Sequence, residues 1–209
     1  DKMMTKTLRP RTNPVQNRAR KQRDKILATT AELLKTVGLD DLTTILVAKK
    51  VGISVGTLYH YFPNKHAILY ALSERWVEKV NSAVSELESQ QLDNMALKPF
   101  VTNLVDGFSV VYGDNQSSLP LVAVMPVALE LQEIYSDFLS TIHLRLSDIF
   151  LRLPLSLSQD DAVHLAKFFW QICHSVLLSI YCSDHNEQQS LADLKFLSMS
   201  LLERARVNF

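Results

Sequence analysis

Apolar residues recur along this chain every three to four positions, with polar residues filling the intervals, which is the period of an amphipathic helix. Ile26, Leu27, Ala31, Leu33, Leu34 and Val37 predict a helix over 16–37, stopped by Gly38. Leu46, Val47 and Val51 predict a short helix that begins at the cap-type pair Thr43 and Thr44 and ends at Gly52. Ser54 caps the next helix, over 55–62, in which Leu58 and Phe62 share one face and Pro63 sets the end. Asn64 caps a long helix over 64–88, with Ile68, Leu69, Leu72, Trp76, Val80, Val84 and Leu87 on its apolar side.

The same period continues to the end of the chain. Residues 89–94 are polar and read as a loop, and a helix follows over 95–112. A second loop, 113–118, leads to an apolar segment over 119–125, between Pro120 and Pro126, of one or two helical turns. A helix over 127–153 is ended by Pro154. Ser158 and Asp161 form a capping box, with Asp in the Glu position, for a helix over 159–182. A last helix covers 187–206, and no segment reads as a strand. The expected fold class is all-α. Residues 1–16 carry no apolar period, and Pro10 and Pro14 argue against a helix there.

The stretch 43–65 holds the most specific pattern: two short helices around one glycine. In the second helix, Leu58 and Phe62 face inward, which leaves Ser54, Val55, Gly56, Thr57, Tyr59, His60 and Tyr61 for the other faces. Small hydroxyls and polar-tipped rings without a carboxylate suit the DNA major groove. Gly56 allows close backbone approach. Tyr59, His60 and Lys65 are expected at phosphates, and Ser54, Val55, Gly56 and Thr57 at base edges, with Thr43, Thr44 and Tyr61 alongside. The pattern is that of a helix-turn-helix with a recognition helix. Arg9 and Arg11 in the basic arm are expected to enter the adjacent minor groove. Arg18, Arg20, Lys21 and Arg23 crowd the start of the first helix, where cations oppose the helix dipole and an outside anion relieves the conflict.

The run Gly-Ile-Ser-Val-Gly-Thr-Leu-Tyr-His-Tyr-Phe-Pro-Asn-Lys, after Leu-Thr-Thr and before apolar Ile68 and Leu69, resembles the DNA-binding motif of the TetR family of bacterial transcriptional regulators. The resemblance covers about a quarter of the chain. It departs at Ile45, where some members carry a polar or basic base-contacting residue. The resemblance implies a three-helix DNA-binding domain followed by a helical ligand-binding and dimerisation domain. The expected division is an arm over 1–16, a DNA-binding domain over 17–65 with its motif at about 43–62, and a ligand-binding and dimerisation domain over 66–209.

Charge sharpens this division. The chain is neutral overall, but residues 1–75 hold fourteen Lys and Arg against six Asp and Glu, and residues 76–209 hold eight against sixteen. A basic third beside an acidic remainder is the electrostatic footprint of a nucleic-acid-binding unit joined to one that avoids phosphate. Cys173 and Cys182 lie nine residues apart in one helical pattern, ~13 Å, too far for a disulfide. No uninterrupted apolar run reaches the ~18–20 residues of a membrane span, and the N-terminus lacks a signal-peptide pattern, so a cytoplasmic protein without membrane contact is expected.

The helix over 159–182 is apolar on more than one face, and the helix over 187–206 has a broad apolar front with Leu191, Leu194, Phe196, Leu197 and Leu202. Both predict a homodimer built as a four-helix bundle from the last two helices of each chain, as in TetR-like proteins. The resemblance also implies a cavity in this region for a small hydrophobic or amphipathic ligand. Candidate lining residues are Phe100, Leu104, Phe108, Tyr112, Met125, Leu129, Tyr135, Phe138, Phe169 and Trp170.

No catalytic set is legible. His143, His164, His174 and His185 are scattered, none four residues from another, and the neighbours Cys173 and His174 point about 100° apart on a helix. Neither a cofactor nor a metal nor an enzymatic activity is expected. The predicted function is sequence-specific DNA binding that represses transcription and is released by a ligand. Two alternatives stand beside it: a regulator of the same fold controlled by a protein partner, and an all-α enzyme or carrier.

Overall fold

Local capping chemistry sets the start of the helices. Thr43, Ser54, Asn64 and Ser158 each accept a backbone N–H three residues on, at 2.9–3.1 Å. Ser158 Oγ also donates to the Asp161 carboxylate, so the two residues of the predicted capping box pair through the hydroxyl. The computed structural model describes residues 14–183 and 186–206, with side chains from Gln16 onward. The helices are α1 (Pro14–Val37), α2 (Thr44–Val51), α3 (Val55–Tyr61), α4 (Lys65–Glu88) and α5 (Leu97–Gly113). They continue as α6 (Leu119–Val124), α7 (Gln132–Arg152), α8 (Gln159–Cys182) and α9 (Glu187–Arg206). The described residues contain no strand, and the fold is all-α.

Three boundaries differ from the sequence reading. Helix α1 opens at Pro14, which was expected to oppose a helix. A proline at the first helical position loses only an N–H that has no helical partner there. The helix expected over 127–153 begins at Gln132. Residues 125–128 turn, a single 3-10 turn covers Leu129–Leu131, and the helical pieces before and after this break meet at 104°. The polar loop 89–94 contains another 3-10 turn, Leu92–Asn94, because Leu92 is fully buried and pins the loop to the core.

Helix α4 runs from the first three helices into the rest of the molecule. Near its start, Ile68, Leu69 and Leu72 are buried together with Leu27, Leu42 and Leu58. Arg75 pairs with Asp24 of α1. Further along, α4 packs against α5 and α7. Trp76 sits at the midpoint, 2% exposed, edge-on to Phe138 at 5.2 Å and to Tyr112 and His174 at 6.0 Å. Arg145 of α7 then spans two turns of α4. It donates two hydrogen bonds to the Glu88 carboxylate, two to Asn81 and one to Ser85 Oγ. That pairing holds the Glu88 carboxyl below its ordinary value, chiefly through the Arg145 hydrogen bonds.

Helix α8 lies along α7 and packs on α5 and α9. By length and composition alone it is apolar enough to cross a membrane, although no uninterrupted apolar run predicted this. Lys167, Gln171 and His174 break the run without lowering its average far. Its apolar side is buried within the bundle, at Leu165, Phe169, Trp170, Cys173 and Leu177. Neither cysteine forms a disulfide. Cys173 is buried, which pushes its thiol upward, and Cys182 is exposed.

Candidate nucleic-acid interface

The turn between α2 and α3 is fixed by backbone chemistry. Gly52 adopts the left-handed conformation at φ 81°, and the backbone N–H groups of Gly52 and Ile53 both donate to the Ala48 carbonyl. Lys25 Nζ donates to the Val51 carbonyl at 2.9 Å and closes the end of α2 from α1. Leu58 and Phe62 are buried, as their spacing predicted, so α3 can present only its outer faces.

Those outer faces carry most of the predicted contact set. Ser54, Gly56, Thr57, Tyr59 and His60 are exposed, while Val55 and Tyr61 are half-buried against the core. A Cβ added at Gly56 would meet only Ser54 Oγ at 3.8 Å, so nothing within the chain requires a glycine there. Ser54 Oγ and Thr57 Oγ1 share a hydrogen bond at 2.8 Å. Thr44 Oγ1 and the Tyr59 hydroxyl share another at 3.2 Å, which joins the first turn of α2 to the outer face of α3. Thr43 is exposed beside them.

Lys65 is placed differently from a free surface cation. Its ammonium donates to the Leu39 carbonyl at 3.3 Å and ties the start of α4 to the α1–α2 loop. An ammonium has three donors, so two remain. Arg23 lies over the Phe62 ring at 5.4 Å. Arg18, Arg20 and Lys21 stay exposed along α1, and no acidic residue occupies its first turn. Arg9 and Arg11 lie outside the described residues.

Sequence reasoning noted Ile45 only as a departure from the family pattern and left it out of the contact set. It is 67% exposed in the first turn of α2, next to Thr44. An isoleucine this open adds an exposed apolar tip beside Thr44. The signal was its polar neighbourhood: Leu46 and Val47 already fill the inward positions.

The residues expected to line a ligand cavity are mostly packed solid. Phe100, Leu104, Phe108, Tyr112, Met125, Phe138, Phe169 and Trp170 are buried against one another. Phe108 and Phe138 meet Trp170 edge-on at 5.7 and 5.3 Å. Tyr135 is half-buried. Leu129 corrects the expectation: it is 78% exposed, because the helix assumed to turn it inward starts only at Gln132. Among the described residues, no group of three His, Cys, Asp or Glu side chains is placed to hold a metal ion.

With this geometry in view, comparison with known proteins is direct. Residues 26–72, which cover the second half of α1, both short helices and the start of α4, match the family described as bacterial regulatory proteins, tetR family. Over these residues the chain is similar to the TetR family. It is 30% identical over 115 residues to the HTH-type transcriptional regulator EthR of Mycobacterium tuberculosis, covering 54% of this chain and 53% of EthR. It is 43% identical over 53 residues to the Escherichia coli tetracycline repressor protein class C, 25% of this chain and 24% of that one. The aligned part thus spans about half the length of EthR and a quarter of the tetracycline repressor. The fold extends further than the sequence likeness. A transcriptional regulator from Rhodococcus sp. Rha1 superposes with a TM-score of 0.71 over 87% of this chain and 96% of its own, at 16% identity. Salmonella enterica GusR gives 0.69 over 93% and 100%, at 19% identity. The shared fold therefore covers nearly the whole chain, while the match to the family model is confined to residues 26–72.

Proposed function

We propose that this TetR-family chain is a cytoplasmic, dimeric transcriptional repressor that binds a near-palindromic operator and leaves it when a small molecule binds. Residues 17–65 form the reading unit, and residues 66–209 form the sensing and dimerising unit. The observation that carries the reading is α3 itself. Its inward positions are filled by Leu58, and its outer faces offer Thr57, Tyr59 and His60 around a glycine that no internal contact explains. Thr57 and Ser54 meet base edges, and Ile45 meets a thymine methyl. Tyr59, His60 and the spare donors of Lys65 meet phosphates.

The test is fluorescence anisotropy with operator DNA enriched from random duplexes. Binding should weaken linearly as log salt rises, with a slope that reports the phosphates engaged. A sequence-independent affinity, or one indifferent to salt, would overturn the reading.

A further inference from the structure

A groove runs between α7 and α8 on the outside of the bundle. Its inner end is a cavity of about 220 Å³ lined by Tyr135, Leu139, His143, Lys167, Gln171 and the stacked pair Trp170 and His174. A wider cavity of about 530 Å³ continues it outward and shares Leu139, His143 and Lys167. It adds Ser136, Ser140, Leu144 and Val163. No carboxylate lines either part. That is unusual here, since residues 76–209 hold sixteen Asp and Glu against eight Lys and Arg.

Every polar group in the groove can donate a hydrogen bond, and Lys167 brings a positive charge. Lys167 makes no ion pair with any described carboxylate, and its charge together with burial holds His143 toward the neutral form. The Tyr112 hydroxyl is buried behind the groove, and its hydrogen-bond partner is His174 Nδ1 at 2.5 Å. A phenol that donates here leaves the imidazole hydrogen on Nε2, and a ring that donates from Nδ1 leaves Nε2 as an acceptor. Burial lowers His174 to about 4, so this ring stays neutral at pH 7. Trp170 and His174 are stacked, with centroids 5.5 Å apart and planes 22° from parallel. Behind His174, the Trp76 indole N–H is buried without a partner.

We propose that this α7–α8 groove is the ligand site, and that it takes an organic monoanion: one carboxylate or sulfonate on a flat apolar body. The anionic group sits at Lys167, within reach of Gln171 and His143, and the flat body lies against Trp170 and Leu139. The site is thus a surface groove and not the packed aromatic core. The proposal rests on the reading that residues 66–209 sense a small molecule. A ligand here touches α7 and α8 together, and His174 links it through Trp76 to α4.

The test uses two probes that differ only in charge: 8-anilinonaphthalene-1-sulfonate and neutral N-phenyl-1-naphthylamine. Both are titrated into the full-length protein and followed by energy transfer from tryptophan, since both tryptophans, Trp76 and Trp170, lie at or behind the groove. Lys167→Gln should weaken the sulfonate about tenfold and the neutral probe less than about twofold. Lys167→Arg should restore sulfonate binding. Ser140→Glu places a carboxylate in the groove from an exposed position and should also reject the sulfonate. Both positions face solvent, and circular dichroism checks that the variants keep the helical fold. Failure of the sulfonate to bind, equal loss for both probes, or indifference to both charge variants would overturn the proposal. Operator binding is measured on the same samples. Operator binding with a charge-indifferent groove removes this site alone, and charge-dependent anion binding without operator binding removes the proposed function alone.

Discussion

Thr57 and Ser54 are joined by two hydrogen bonds but do different work. Ser54 Oγ accepts the Thr57 backbone N–H, so the cap of α3 survives the loss of the threonine side chain. Thr57→Ala should therefore leave the denaturation midpoint nearly unchanged while losing ~1–3 kcal/mol of discrimination at one base pair, read by competition with mutated operators. Ser54→Ala should show the reverse balance first, with about 1 kcal/mol of folding stability lost in urea melts. His174 gives a pH signature. Its folded pKa of about 4 lies below the ordinary value of 6.5, so the unfolded chain binds the proton more readily. The stability this ring contributes is complete above pH 6.5, falls as the pH drops toward 4, and changes no further below that. The loss should reach up to about 3 kcal/mol by pH 4, and His143 adds in the same direction. Urea midpoints of wild type and His174→Gln at pH 7.5 and 4.5 should converge at the lower pH, and a gap that stays constant would count against this assignment.

At the scale of the element, α4 is held at its middle by packing and at its end by charge. Trp76→Ala would empty a fully buried site and should cost about 3–5 kcal/mol. It would unsettle the fold before it could report on coupling between the two ends. Trp76→Phe is the better probe, because it keeps most of the ring and removes an indole N–H that has no partner; thermal melts should show less than half the loss of Trp76→Ala. Arg145→Met should detach the last turns of α4 from α7. Because Glu88 titrates low beside Arg145, the stability of this pair is present above about pH 4.5 and is lost as the pH falls through the folded value. The substitution should therefore lower the urea midpoint at pH 7 more than at pH 3.

The helices were legible in the sequence wherever their signals were local. Caps at Thr43, Ser54, Asn64 and Ser158 act within three residues, and Gly52 acts on its own backbone. Pro14 was misread because a proline ends a helix in its interior and opens one at its first position, and composition does not distinguish the two. The break at 125–131 and the outward placement of Leu129 depend on how α6 meets α8 and α4, which no spacing reveals. The same limit hid the groove. Lys167 and His143 are 24 residues apart in sequence and become neighbours only when α7 and α8 lie side by side.

For the whole molecule, the exposed rings of α8 and α9 are the outstanding apolar surface. Phe196 is 70% exposed, with Phe168 and Leu197 about half exposed. A four-helix bundle with a second copy would cover them. Phe196→Asp together with Phe168→Glu should convert a dimer of 23.7 kDa chains to monomers in sedimentation equilibrium, and the monomer should lose most of its operator affinity by forfeiting the second half-site. Deleting residues 1–12 should leave the dimer and its melt unchanged and weaken operator binding at matched salt. Helix α4 adds a mechanical term. It is one uninterrupted rod of 24 residues, about 36 Å long, with no flexible joint between the bundle and the DNA-reading helices. Leverage then converts angle into distance: a tilt of about 5° where Arg145 grips the far end displaces the near end by about 3 Å, close to one base-pair step of 3.4 Å. Two such rods tilting apart in a dimer double the error in spacing. On the proposed function, a ligand that repacks the bundle by less than a side chain's width would be enough to put two recognition helices out of step with the double helix.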